Sequence, residues 1–182
     1  VTLIERQAII IDGETRKNHI EYASSILHET FHLKGYVADE SSKSGNNDNE
    51  YTKRRYRVGF MISSLSKKDK RLGGVYIKSF IGLNEAIVST FESTHTQELL
   101  QRINILNKNA PDVTPEINSD DSYLPQRKVF KFIVESIAKA EDMTEEEIIN
   151  LFYKAHNNGH ILNVARLIEK TFGKGSFRFI GT

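Results

Sequence analysis

Apolar residues recur along this chain with two different periods, and the changes of period mark out its elements. Residues 3–12 are rich in isoleucine and end at Asp12-Gly13, the pattern of a strand closed by a turn. Over residues 18–33 the period becomes helical. Ile20, Ala23, Leu27 and Phe31 form one row at i, i+3/i+4 spacing, while Tyr22, Ile26 and Leu33 add apolar surface on another side. A helix apolar on two sides is expected in the interior. Residues 39–49 are rich in Ser, Asn and Asp with a single Gly45, and are expected to form a flexible loop. Residues 56–65 and 74–81 read as two strands around the basic turn 66–73, a pair able to form a hairpin.

Helical periodicity returns at Leu83 with Ala86, Ile87 and Phe91, and resumes around Gln97 with Leu99, Leu100, Ile103 and Leu106. Residues 107–122 hold Pro111 and Pro115 among polar and acidic positions, which suits a surface connection. Beyond it Val129, Phe132, Ile133, Ser136 and Ile137 form one apolar stripe. Thr144 and Glu147 make a T-x-x-E capping box ahead of a helix over 145–156, with Gly159 as its stop. Residues 160–172 read as a further helix, stopped at Gly173. The pattern therefore predicts an α+β chain: a mixed part over residues 1–94, with a small, partly antiparallel sheet and a central helix, then a helical C-terminal half over 95–182. The two are expected to form a single compact unit.

The length of 182 residues suits one domain and can bury a continuous core. A composition of 38% hydrophobic and 27% charged residues is that of an ordinary soluble protein. No apolar run approaches a membrane span, so no membrane partner is expected. Cytoplasmic residence is the expectation, with secretion as the alternative because the chain begins at Val1 and not Met. The absence of cysteine excludes disulfides, thiolate metal sites and cysteine nucleophiles, so any transition-metal site must draw on His, Asp and Glu. The net charge is +1. The basic runs at 53–57 and 67–71 sit beside predicted loops and read as solvated charge, which sets nucleic acid aside as a partner.

The chemistry concentrates in His28-Glu29-Thr30-Phe31-His32, an H-E-x-x-H sequence inside the predicted helix. Positions i and i+4 lie one above the other on a helix, so both imidazoles can reach one metal ion from the same side. Glu29 is turned away from direct ligation but stays near the metal's open position, where it can take a proton from an activated water. The plainer explanation is a pair of core histidines beside a carboxylate, but such a cluster needs several buried partners of its own. A catalytic zinc needs a third protein ligand and one open position. No further histidine follows at the spacings used by other H-E-x-x-H classes. The best candidate is Glu85, in Gly82-Leu83-Asn84-Glu85-Ala86-Ile87, 85 − 32 = 53 positions after His32 and in the first turn of the next predicted helix. A carboxylate in a first turn also suits the helix dipole, which would explain Glu85 alone.

H-E-x-x-H on one helix followed by N-E-A at the start of a second resembles the gluzincin metallopeptidases, the thermolysin-like clan. Tyr56-Arg57-Val58-Gly59-Phe60 ahead of Gly82-Leu83-Asn84-Glu85-Ala86 is similar, more closely, to small bacterial gluzincin-like domains called minigluzincins. By motif the resemblance covers residues 20–92. It implies a zincin-like fold with two zinc-bearing helices, and one Zn2+ per chain on His28, His32 and Glu85. It also implies Glu29 as general base and a protein or peptide substrate whose peptide bonds are hydrolysed by a metal-activated water. Asn84 matches a position that helps orient a ligating histidine. The family carries an Asp four residues after the ligand Glu, where Ser89 stands here; Glu92, one turn further, can supply the missing charge. The family also uses a downstream His or Tyr against the developing oxyanion. Tyr123 and His160 are the leading candidates for that role, with His95 and His156 behind them. The alternative is a catalytically silent zincin-derived domain with a binding or regulatory role, to which Ser89 lends support and the intact Glu29 does not.

Overall fold

The computed structural model describes residues 2–3, 8–10, 19–43, 51–65, 76–106 and 123–182. Among them the order is β1 (Thr2–Leu3), β2 (Ala8–Ile9), α1 (His19–Lys34), β3 (Val37–Lys43), β4 (Tyr51–Val58), β5 (Met61–Leu65), β6 (Tyr76–Ser79), α2 (Ile81–Leu106), α3 (Leu124–Glu141), α4 (Glu145–Asn158), α5 (Ile161–Phe172) and α6 (Ser176–Ile180). The chain is mixed α+β. A four-stranded antiparallel sheet runs in the order β3-β4-β5-β6, β1 and β2 make a separate pair, and the rest is mostly helical. Among the described residues no helix is long and apolar enough to cross a membrane. The chain divides into two compact units, and each takes segments from both halves of the sequence: Val1–Lys34 with Glu85–Val129, and Gly35–Asn84 with Phe130–Thr182.

In the first unit β1 and β2 pair antiparallel, Thr2 opposite Ile9, and α1 lies against both. Phe31 of α1 is buried, with its ring against Phe91 at 5.8 Å and His95 at 5.3 Å. The helix is less enclosed than two apolar sides suggested, since Ile26 is exposed. The two helical stretches read around Leu83 and Gln97 are one continuous helix, α2, of 26 residues. It buries Ala86, Ile87, Val88 and Phe91 in its first half.

In the second unit β3 occupies residues expected to be loop. Val37 pairs with Val58 and Lys43 with Tyr51, with a register shift between Glu40 and Ser41. β3 is an edge strand with exposed Val37, Asp39, Glu40 and Ser41, so its backbone ladder forms without an apolar face to announce it. Residues 44–50 lie outside the described ones, as do 4–7, 11–18, the 66–75 connection and the connection at 107–122. The single strand expected over 56–65 is broken. β4 ends at Val58, β5 begins at Met61 opposite it, and Gly59-Phe60 make the two-residue turn. Gly59 has φ +55°, and a Cβ there would stand 2.3 Å from His156 Nδ1 and 2.7 Å from Asn84 Oδ1. Such a turn wants positive φ, which glycine adopts without steric cost. β5 and β6 pair antiparallel, Ile62 opposite Ser79.

The helices of this unit supply most of the core. α3 buries Phe130, Ile133, Val134, Ile137 and Ala138, while Val129 and Phe132 of the expected stripe stand 56% and 60% exposed. The buried face is therefore rotated from the one read. Phe152 of α4 packs edge-on against Phe130 at 5.0 Å and also meets Phe60 at 6.0 Å. The Thr144–Glu147 capping box forms in both directions, and α4 ends at Gly159 with φ +82°. α5 ends at Gly173.

Candidate metal centre

Ser24, His28 and His32 recur every four residues, so they share one face of α1. Glu85 and Glu92 are seven residues apart on α2, nearly two full turns, and so also share a face. These two rows meet in the first unit. His28 Nε2 lies 3.1 Å from His32 Nε2, and Glu85 Oε2 is 3.4 Å from the former and 3.3 Å from the latter. His28, His32 and Glu85 thus form a group able to hold a metal ion, one donor atom each. On the other side of the ring, His28 Nδ1–H donates to Glu92 Oε2 at 2.8 Å, and Ser24 Oγ–H donates to Glu92 Oε1. The ring of Tyr123, which immediately precedes α3, stacks on His28 with centroids 5.7 Å apart and planes 10° from parallel.

The donor set suits a borderline divalent ion such as zinc, which accepts imidazole nitrogen and carboxylate oxygen. Two donors at tetrahedral positions on an ion with bonds of about 2.0–2.1 Å lie roughly 3.3–3.4 Å apart. The three observed separations of 3.1, 3.3 and 3.4 Å are close to that triangle.

Electrostatics bind the cluster together. Burial disfavours the charged form of His28, but hydrogen bonds and charge from Glu85 and Glu92 outweigh it and raise its pKa to about 9. Burial likewise disfavours the Glu85 carboxylate, and the hydrogen bonds and charge of His28 and His32 outweigh it, lowering its pKa to about 2. Without a metal the cluster is an imidazolium held between two carboxylates. A proton on His28 Nε2 stands where a metal ion held by this group would also have to bind.

The remaining candidates fall elsewhere. Glu29 is half-buried on α1, one residue after His28. Ser89 is buried on α2. Asn84 is buried, and its Oδ1 accepts the Phe60 N–H at 3.0 Å, which ties down the β4–β5 turn. His95 Nδ1–H donates to the Phe91 carbonyl at 2.9 Å. His156 is buried in the second unit, and its carbonyl accepts from Tyr36 N–H at 2.8 Å. His160 is exposed at the start of α5 and makes no side-chain cap. Ser24 belongs to no motif; its one sequence signal is its place four residues before His28.

No protein-family model, no curated protein and no solved structure matches this chain.

Proposed function

We propose that the chain is a zinc-dependent peptidase with a zincin-like arrangement, in which His28, His32 and Glu85 hold one zinc ion. The observation that carries this reading is the triangle of donor atoms at 3.1, 3.3 and 3.4 Å, assembled from an H-E-x-x-H helix and a second helix. Zinc bound there would polarise a scissile carbonyl and bring the pKa of a water to about 7. Glu29 is the general base. Its carboxylate accepts the proton of the attacking water and hands it to the leaving nitrogen. Tyr123 is favoured over His160 as the group facing the developing oxyanion, because its ring lies against His28 and its phenol O–H is a donor. The substrate is a protein or peptide, the class implied by the resemblance to gluzincins. Asn84 fixes the β4–β5 turn by accepting the Phe60 N–H.

The test pairs metal content with turnover. Elemental mass spectrometry of the wild type is expected to give about one zinc per chain, lost in His28→Ala and in Glu85→Ala. Glu29→Ala is expected to keep its zinc and lose hydrolysis of a broad peptide library by about 100-fold or more. A wild type that takes up no zinc after reconstitution would leave the cluster as an ion-pair network. Zinc retained, with Glu29→Ala matching the wild type in every assay, would point to the silent binding domain instead.

A further inference from the structure

We propose that Glu92, itself held by Ser24, is the positioning residue that aims His28 at the metal, taking the part expected of a carboxylate four residues after Glu85. The inference rests on the zinc reading above and adds to it the device that fixes one ligand.

An imidazole has two nitrogens, and a ligating histidine must keep a lone pair on one and a proton on the other. A carboxylate accepts hydrogen bonds and donates none when ionised. With Glu92 Oε2 at 2.8 Å, the proton of neutral His28 belongs on Nδ1. That leaves the Nε2 lone pair facing His32 Nε2 and Glu85 Oε2, the two other donors of the triangle. The second oxygen of Glu92 is engaged by Ser24, one turn before His28 on the same helix. The carboxylate is therefore bracketed by two groups of α1, and its rotamer is set by the helix whose histidine it orients. Tyr123 adds a second constraint by covering one face of the His28 ring.

Helix geometry lets position 92 serve, and side-chain length sets it apart from Ser89. Seven residues bring Glu92 within about 20° of Glu85 around α2, whereas four residues leave Ser89 about 40° away on a much shorter side chain. The observed partner of His28 Nδ1 is Glu92. An acceptor on the far nitrogen of a ligating histidine fixes the tautomer and raises ligand basicity, and its loss commonly costs about 10–100-fold in metal affinity.

The experiment is a competition titration of zinc against a chromophoric chelator at pH 9, where about half of the His28 rings are neutral and the proton costs the metal only about twofold. It compares wild type, Glu92→Ala, Glu92→Gln and Ser24→Ala, each checked for folding by circular dichroism. Glu92→Ala is expected to weaken zinc binding about 10–100-fold, Glu92→Gln by less because an acceptor oxygen remains, and Ser24→Ala by less again. Cobalt substitution supplies a readout that a merely structural role would not move: the visible d–d bands should shift in Glu92→Ala and recover largely in Glu92→Gln. Wild-type affinity with unchanged cobalt bands in a folded Glu92→Ala overturns the proposal and leaves the zinc site standing. A wild type that binds no zinc overturns both. Should Glu92→Ala not fold, Ser24→Ala and Glu92→Gln decide: affinity unchanged in both overturns the proposal, and affinity weakened in both supports it.

Discussion

Raising the pH from 7 to 9 is expected to tighten zinc binding about fiftyfold, because the metal must displace a proton from His28. The size follows from the environment of the ring. Burial alone would favour the neutral imidazole, but Glu85 and Glu92 outweigh it and hold the pKa at about 9. At pH 7 only about one molecule in a hundred then carries a neutral His28, and at 1.36 kcal/mol per unit the deprotonation opposes binding by about 3 kcal/mol. That opposition fades as the pH approaches 9. Above it the proton is already gone and affinity should level off. Glu85, whose pKa is lowered to about 2, is ionised throughout and adds no slope in this range. The assay is isothermal titration calorimetry with a competing chelator, repeated in two buffers of different ionisation enthalpy, so that affinity and proton release are read together. About one proton per zinc should leave His28 near pH 7, falling toward zero above pH 9. Affinity that stays flat between pH 7 and 9, with no proton released from this ring, would refute the reasoning: either His28 Nε2 does not meet the metal or the carboxylates do not hold a proton on it.

Two further outcomes are expected, one from this cluster and one from the β4–β5 turn. The metal-free protein should be most stable between about pH 4.5 and 6.5 as far as this cluster is concerned. The raised pKa of His28 gives a contribution complete below 6.5 and lost as the pH climbs through about 9, while the lowered pKa of Glu85 gives one complete above 4.5 and lost as the pH falls through about 2. Thermal melts in chelator should show this profile, and a His28→Ala variant with the same profile would contradict the assignment. Gly59→Ala should destabilise the fold by about 2–4 kcal/mol, combining an unfavourable positive φ with overpacking against buried neighbours. Its Cβ would fall 2.3 Å from His156 Nδ1. Chemical denaturation measures the loss, and a variant within 0.5 kcal/mol of wild type, roughly the range of a neutral surface change, would contradict that packing.

What could be read from the sequence divides by the range of the interaction. The Thr144–Glu147 cap, the Gly159 and Gly173 stops and the shared face of His28 and His32 are settled within a turn or two of helix, and each is present in the structure. β3 was hidden because an edge strand closes its ladder with backbone groups, and its polar side chains looked like those of a loop. The β4–β5 turn was hidden for the opposite reason. Val58, Phe60 and Met61 are apolar on both sides of Gly59, so the run looked continuous. On α3 the alphabet itself was ambiguous: Val129 and Phe132 are as apolar as Phe130 and Val134, and only the burial observed in the structure separates them. Glu92 could be suggested from spacing, but its bond to His28 crosses 64 positions of chain and needs two helices packed in one particular register.

That register carries a physical implication. His28, His32, Glu85 and Glu92 have side chains only 12 to 20% exposed. Desolvating so many ionisable groups opposes folding, and their mutual attraction returns that loss only when geometry is good. The same pair of helices shows the simpler alternative nearby, where Phe31 packs on Phe91 with no charge to satisfy. Replacing a buried charged cluster by well-packed apolar side chains is often neutral or stabilising. The cluster is therefore not explained by folding alone. Its arrangement makes sense for an occupant that binds two imidazoles and a carboxylate at once, and that contributes its binding free energy to the folded state when it does. On the function proposed above, that occupant is zinc. Zinc should then add stability that grows with its free concentration, whereas an ion-pair network that binds no metal would gain none.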